Sequence, residues 1–161
     1  MNEKERGPCT EKGRILALDL GSKRVGVALS DEKQISIRPL PPLMRTSWKR
    51  LLRSIADLCV KFEVQVILLG LPLRLDGSEG DATHDTKRIA RNLRLSLNLP
   101  VYLQDERYTS KEAESMLREE GYKGKEINSY VDSNAAAIIL SDFLWRPNDR
   151  SKPASECDGS H

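Results

Sequence analysis

Residues 14 to 30 read Arg14-Ile15-Leu16-Ala17-Leu18-Asp19-Leu20-Gly21-Ser22-Lys23-Arg24-Val25-Gly26-Val27-Ala28-Leu29-Ser30, and this stretch decides the fold. Arg14 to Asp19 holds Ile15-Leu16-Ala17-Leu18, a short apolar run bounded by Gly21. That is the pattern of a strand covered on both faces. From Arg24 to Ser30, Val25, Val27 and Leu29 alternate with Arg24, Gly26 and Ala28, as in a second strand. Ser30 to Lys33 supplies a turn, and Gln34 to Arg38 is expected as a third strand, completing an antiparallel meander.

Beyond the meander the period becomes helical. From Ser47 onward Trp48, Leu51, Leu52, Ile55, Leu58 and Cys59 recur at helix spacing, with Lys49, Arg50 and Arg53 between them. Val64 to Leu71 is a continuous apolar run broken only by Gln65 and predicts a buried fourth strand, ended by Gly70-Leu71-Pro72; a loop with Asp76-Gly77 follows. A helix is expected over Asp81 to Leu97, burying Ile89, Leu93 and Leu97. A fifth strand is expected over Leu99 to Gln104, ending at Asp105-Glu106-Arg107. Thr109 to Glu112 matches a capping box, so a helix is expected to run to about Glu120, where Gly121 stops it. A last helix is expected to begin near Asp132 and carry Ala135 to Trp145. The sum is an α/β chain with a mixed five-stranded sheet, antiparallel meander plus parallel strands, flanked by helices. Residues 14–146 form the domain, and residues 1–13 and 147–161 are expected to be flexible tails.

The whole chain is 161 residues, of which 31% are charged and 39% hydrophobic, a mixture suited to one globular core. No apolar run approaches the roughly 20 residues needed to cross a bilayer, and the first twelve residues lack the apolar core of a secretory signal. Cys9, Cys59 and Cys157 are odd in number and far apart, which fits a reducing cytoplasm better than a disulfide framework. A net charge of +2 gives no global basic field, so nucleic-acid binding has to come from local clusters.

Ligands of open α/β sheets bind beyond the carboxyl ends of the strands, where strand order reverses. Acids fall at that edge: Asp19 closes the first strand, Asp105 and Glu106 close the fifth, and Asp132 opens the last expected helix. Neighbouring strands lie roughly 4.8 Å apart, close enough for carboxylates from different segments to converge. Such oxygen donors suit Mg²⁺ or Mn²⁺, and two such ions about 4 Å apart activate water and stabilise the leaving oxygen of a phosphodiester. Each acid has a second reading. Asp19 before Leu20-Gly21 also suits a turn, Asp132 before Ser133-Asn134 an N-cap, and Asp105-Glu106-Arg107 a surface ion-pair cluster.

The segment Asp19 to Ala28 resembles the opening strand-turn-strand of the YqgF family, the RuvX-type Holliday junction resolvase-like proteins. Gly70-Leu71-Pro72-Leu73 with Asp76 to Gly80 is similar to that family's second block, Asp105 to Ser110 to its third and Val131 to Ala136 to its fourth. The blocks stand in family order across residues 14–145. The resemblance implies a ribonuclease H-like fold, Asp19, Glu106 and Asp132 as catalytic metal ligands, and Asp105 as a reserve ligand. It implies a nuclease that matures the 5′ end of pre-16S ribosomal RNA or cleaves Holliday junctions. One departure stands out: the wider superfamily places an acid at the end of strand four, where this chain has Gly70-Leu71-Pro72.

Around the acids, Lys23 and Arg24 suit contact with a nucleic-acid backbone, and Arg107 either steadies a phosphate or neutralises Glu106. Lys87, Arg88, Arg91 and Arg94 make a basic helical face that either tracks phosphates or is simply solvated. Gly121 to Ser129 reads as a flap over the site. His84 and His161 are poor metal ligands by position, and Trp48 and Trp145 suit core or interface anchors better than base-stacking platforms. Two rival functions remain. A phosphotransferase of the actin-hexokinase type shares the D-x-G hairpin but needs a second domain. A non-catalytic RNA-binding module would leave the acids repelling one another.

Overall fold

The computed structural model describes residues 13–74, 76–105, 125–145 and 152–153, of which 125–132, 145, 152 and 153 are described as backbone. The order is β1 (Arg14–Leu20), β2 (Arg24–Ser30), β3 (Ile37–Met44), α1 (Trp48–Lys61), β4 (Val64–Leu71), α2 (Asp81–Leu97), β5 (Val101–Asp105), α3 (Lys125–Trp145) and β6 (Lys152–Pro153). One sheet runs β3-β2-β1-β4-β5-β6. β1, β4 and β5 are mutually parallel, while β2, β3 and β6 pair antiparallel with their neighbours. The five expected strands are all present. β6 adds a two-residue sixth at the β5 edge, within the segment expected to be a tail.

β1 lies in the interior of the sheet, which is why its apolar run is unbroken. Leu16 and Leu18 face α1 and α2, packing in one core with Leu51, Ile55, Ile89 and Leu93. Ile15 and Ala17 face the other way, packing with Ala136, Ile139, Leu140 and Phe143 of α3. Small side chains meet small ones there: Ala17 and Ala28 on the sheet share that core with Ala136 and Ala137 of the helix, which lets helix and sheet approach closely. Tyr102 and Phe143 extend the same layer, their rings tilted at 55° with centroids 5.6 Å apart.

Four boundaries differ from the sequence expectation, the smallest at β1, which runs one residue past Asp19 to Leu20. The third strand is Ile37–Met44, not 34–38. Asp31 Oδ1 accepts the amides of Ile35 and Ser36 at 2.7 and 2.9 Å, and Gln34 takes a left-handed φ of 59°, so the turn continues to residue 36. The strand itself hides in a proline-rich stretch. Pro39, Pro41 and Pro42 lack an amide proton, and only an edge strand tolerates that. β5 is Val101–Asp105 rather than 99–104; the Pro100 carbonyl accepts from Ile67 and starts the pairing with β4. The last helix begins at Lys125, seven residues before Asp132. Lys125 to Ser129 therefore belong to α3 and not to a flap. The helix expected over 109–120 lies outside the described residues.

Candidate active site at the carboxyl edge of the sheet

The parallel strands β1, β4 and β5 end at one edge, and Asp19 stands there. It pairs with Gly26 across β1 and β2 and is partly buried. Alternation along β1 puts Asp19 on the face of Ile15 and Ala17, the α3 side. One step beyond the Leu18–Leu69 pair it stands level with Gly70, which in turn pairs with Gln104. The row through the site thus reads acid, glycine, glutamine, and β4 supplies no carboxylate.

A serine hydroxyl helps pin α3 over this place. Ser133 Oγ accepts from the Val27 amide at 3.3 Å and donates to the Leu40 carbonyl at 2.6 Å. β3 has one residue more than β2 between the pairs Val25–Leu43 and Val27–Leu40. The bulge opens the ladder, and the serine fills the opening. Val27 pairs with Leu18, and the next pair along is Asp19–Gly26. The α3 backbone at 132–133 is therefore anchored one strand and one row from Asp19. Asp132 lies inside the helix, so the N-cap reading is overturned. The carboxylate position at 132 comes from a helix interior rather than a helix start.

Asp105 ends β5 level with Leu71. Leu103 packs in the α1–α2 core and Tyr102 in the α3 core, so alternation carries Asp105 to the α1–α2 face, opposite Asp19. Glu106 and Arg107 lie outside the described residues. Among the described residues no group of three His, Cys, Asp or Glu side chains is close enough to hold a metal ion. The acids of the edge nevertheless offer only oxygen donors, the type that suits Mg²⁺ or Mn²⁺.

The hairpin after Asp19 is closed by the Gly21 amide, which donates to the Arg24 carbonyl at 2.9 Å. A Cβ on Gly21 would stand 2.6 Å from that same oxygen, so the turn demands glycine. Lys23 and Arg24 are exposed on the hairpin. Arg45, which sequence reasoning missed, clamps it. Its amide donates to the Lys23 carbonyl and its Nη1 to the Gly21 carbonyl, both at 2.9 Å, while Nη2 reaches Asp85 Oδ2 of α2 at 3.0 Å. Arg88 also donates to Asp85. The guanidinium of Arg88, with that of Arg45, holds the Asp85 carboxyl below its ordinary value against the opposing pull of desolvation. A lone arginine in a loop after a strand carries no sequence signal of this role.

The basic face of α2 is partly neutralised. Lys87 pairs with Glu79 at 2.9 Å, and Arg88 with Asp85. The Lys87 hydrogen bond lowers the Glu79 carboxyl. Arg91 is exposed on the same helix. Thr83 ties that helix to β4, its hydroxyl accepting from the Gly80 amide at 3.1 Å and donating to the Pro72 carbonyl. Trp48, expected as a core or interface anchor, is 37% exposed, which removes the core alternative.

Residues 13–146 match the model of a family described as "RuvX: Holliday junction resolvase". The chain belongs to that family. A relative from Syntrophus aciditrophicus is 40% identical over 147 residues, 91% of this chain and 98% of its own. One from an Anaeromyxobacter species is 41% identical over 131 residues, 81% of this chain and 96% of its own. Both carry the name "Putative pre-16S rRNA nuclease". Among solved structures, T. thermophilus RuvC in complex with Holliday junction substrate superposes with a TM-score of 0.54 at 14% identity, covering 88% of this chain and 99% of that one. The RuvX chain thus has the ribonuclease H-like fold of the RuvC-type resolvases. Among the described residues no helix is long and apolar enough to cross a membrane.

Proposed function

We propose that this RuvX-family chain is a divalent-metal-dependent nuclease that hydrolyses phosphodiester bonds in structured nucleic acid, with the 5′ end of pre-16S ribosomal RNA as its substrate in the cytoplasm. The observation that carries the reading is the Ser133 anchor, which seats the backbone of position 132 beside the strand end that bears Asp19. Asp19, Glu106 and Asp132 would hold Mg²⁺ or Mn²⁺, and Asp105, alternating to the other face, is the reserve. A bound ion of this kind supplies Lewis-acid activation of water and charge neutralisation at the scissile phosphate. The chain's own part would be to hold Asp19 on a strand and position 132 on a helix that share one core, so that the geometry of these two does not depend on a loop. Lys23 and Arg24 on the exposed hairpin would meet the phosphate backbone, as would Arg107. Lys87, Arg88 and Arg91 extend that contact, though Lys87 and Arg88 bring less net charge to it than their number suggests.

The test is a cleavage assay with Mg²⁺ or Mn²⁺ on precursor 16S RNA and, in parallel, a four-way DNA junction. The wild type cuts the RNA, and Asp19→Asn, Glu106→Gln and Asp132→Asn lose the cut while keeping the wild-type circular dichroism. Preferential cutting of the junction would favour the resolvase activity for which the family is named. Equal residual cutting by all four proteins would leave only a binding module.

A further inference from the structure

We propose a nucleotide subsite on the far side of the sheet from α3: a cavity at the start of α1 that holds one nucleotide of the substrate strand next to the Gly21–Arg24 hairpin. The proposal rests on the nuclease reading above and adds to it where the strand goes after leaving the acidic edge. The cavity has a volume of about 280 Å³, at the small end of ligand pockets, which start near 300 Å³. That is room for a single nucleoside and not for a duplex. Its floor is apolar, formed by Leu51 and Ile89 of the α1–α2 core. Its wall carries Trp48, 37% exposed and so open to stack on a base. Asn92 brings an amide able both to donate to and to accept from a base edge.

The charges around the cavity favour an anion. Arg45 and Arg88 both line it and share one carboxylate, Asp85, which leaves an excess positive charge. The first turn of α1 contains no acid and instead carries Lys49 and Arg50. Cations at a helix N-terminus oppose the helix dipole, an arrangement that costs stability unless a negative group sits nearby. Arg45 also links the cavity to the catalytic edge, since the same guanidinium holds the Gly21 carbonyl two residues after Asp19. A strand crossing the hairpin would run from the acids on one face of the sheet to the cavity on the other.

Trp145→Phe leaves Trp48 as the sole tryptophan and turns its fluorescence into a reporter. With EDTA present, adenosine monophosphate should quench it saturably, with adenosine and inorganic phosphate each at least about ten-fold weaker. Arg88→Ala and Asn92→Ala should each weaken the nucleotide about ten-fold. In the cleavage assay Arg88→Ala should raise KM several-fold with kcat retained, the signature of lost uniform binding. Absence of saturable quenching overturns the subsite, and so does phosphate binding as tightly as the nucleotide. Nucleotide binding with an unchanged KM for cleavage overturns its role in holding the strand. Nucleotide binding by a protein that cuts neither substrate leaves the subsite standing and removes the nuclease reading.

Discussion

The hydroxyl of Ser133 lies against the Val27 amide at 3.3 Å, inside a gap in the β2–β3 ladder that its second bond, to the Leu40 carbonyl at 2.6 Å, closes. Sheet and helix are thereby fixed to each other one residue from Asp132 and one row from Asp19. Without the hydroxyl the buried Val27 amide and the part-buried Leu40 carbonyl would lose these partners. Here a side chain from 106 positions along the chain supplies both partners.

Ser133→Ala removes one donor and one acceptor and leaves Val27 N–H and Leu40 C=O without them. A buried polar group left unsatisfied costs about 1–3 kcal/mol, so urea denaturation should show a loss of roughly 2 kcal/mol at unchanged m-value. Cleavage should fall further than stability explains, because position 132 loses its anchor. A stability equal to wild type would mean that the hydroxyl is not seated between the strands.

Gly21→Ala forces a methyl group against the Arg24 carbonyl, a contact of 2.6 Å that no side-chain rotation relieves. The expected cost is about 1–3 kcal/mol, as for other overpacking. Because the hairpin follows Asp19 directly, kcat should drop in the folded fraction as well. Thermal unfolding and the rate per folded molecule separate the two effects.

Arg45 bonds the hairpin and α2 simultaneously, through the two ends of one planar guanidinium. Lysine has the charge but not the fork. Arg45→Lys should therefore behave much like Arg45→Ala, each losing about 1–2 kcal/mol in chemical denaturation. Full rescue by lysine would reduce the contact to simple charge pairing.

The Asp85 carboxyl is held below its ordinary value of 3.8, chiefly by Arg88 and then Arg45. A folded-state value depressed in this way adds stability that is present above the unfolded value and is lost as pH falls through the folded one. The clamp should thus be intact at neutral pH and weaken below about pH 4. In a series of thermal melts, Asp85→Asn should be less stable than wild type at pH 7, and the gap should narrow towards pH 3. A constant gap across that range would show that Asp85 contributes no charge.

Burial raises the Cys59 thiol to about 11. The thiolate is the reactive form, so Cys59 should resist iodoacetamide at pH 8 in the native protein and react once urea unfolds it. Peptide mapping distinguishes it from Cys9 and Cys157. Rapid labelling of Cys59 under native conditions would mean that α1 opens readily.

Much of the fold was legible because local rules govern it. Val64–Leu71 and Asp81–Leu97 were readable to the residue from an apolar run and a helical period, since central strands and amphipathic helices write their burial into their own sequence. Local pattern places β3 several residues too early, because prolines act locally as strand breakers and only the sheet edge makes them acceptable. Local pattern starts α3 too late, because Asp132-Ser133-Asn134 looks like a cap when read without its neighbours.

By itself the sequence determined the strand and helix alternation, the burial of β1 and the arrival of Asp19 at a strand end, all consequences of side-chain period along a short stretch. Only the tertiary structure decided that Ser133 enters the β2–β3 gap, that Arg45 joins the Gly21 turn to Asp85, and that Lys87 and Arg88 are already paired. Several of these partners stand far apart along the chain, and all are chosen by where three-dimensional packing leaves a polar group unmet, which no local pattern records.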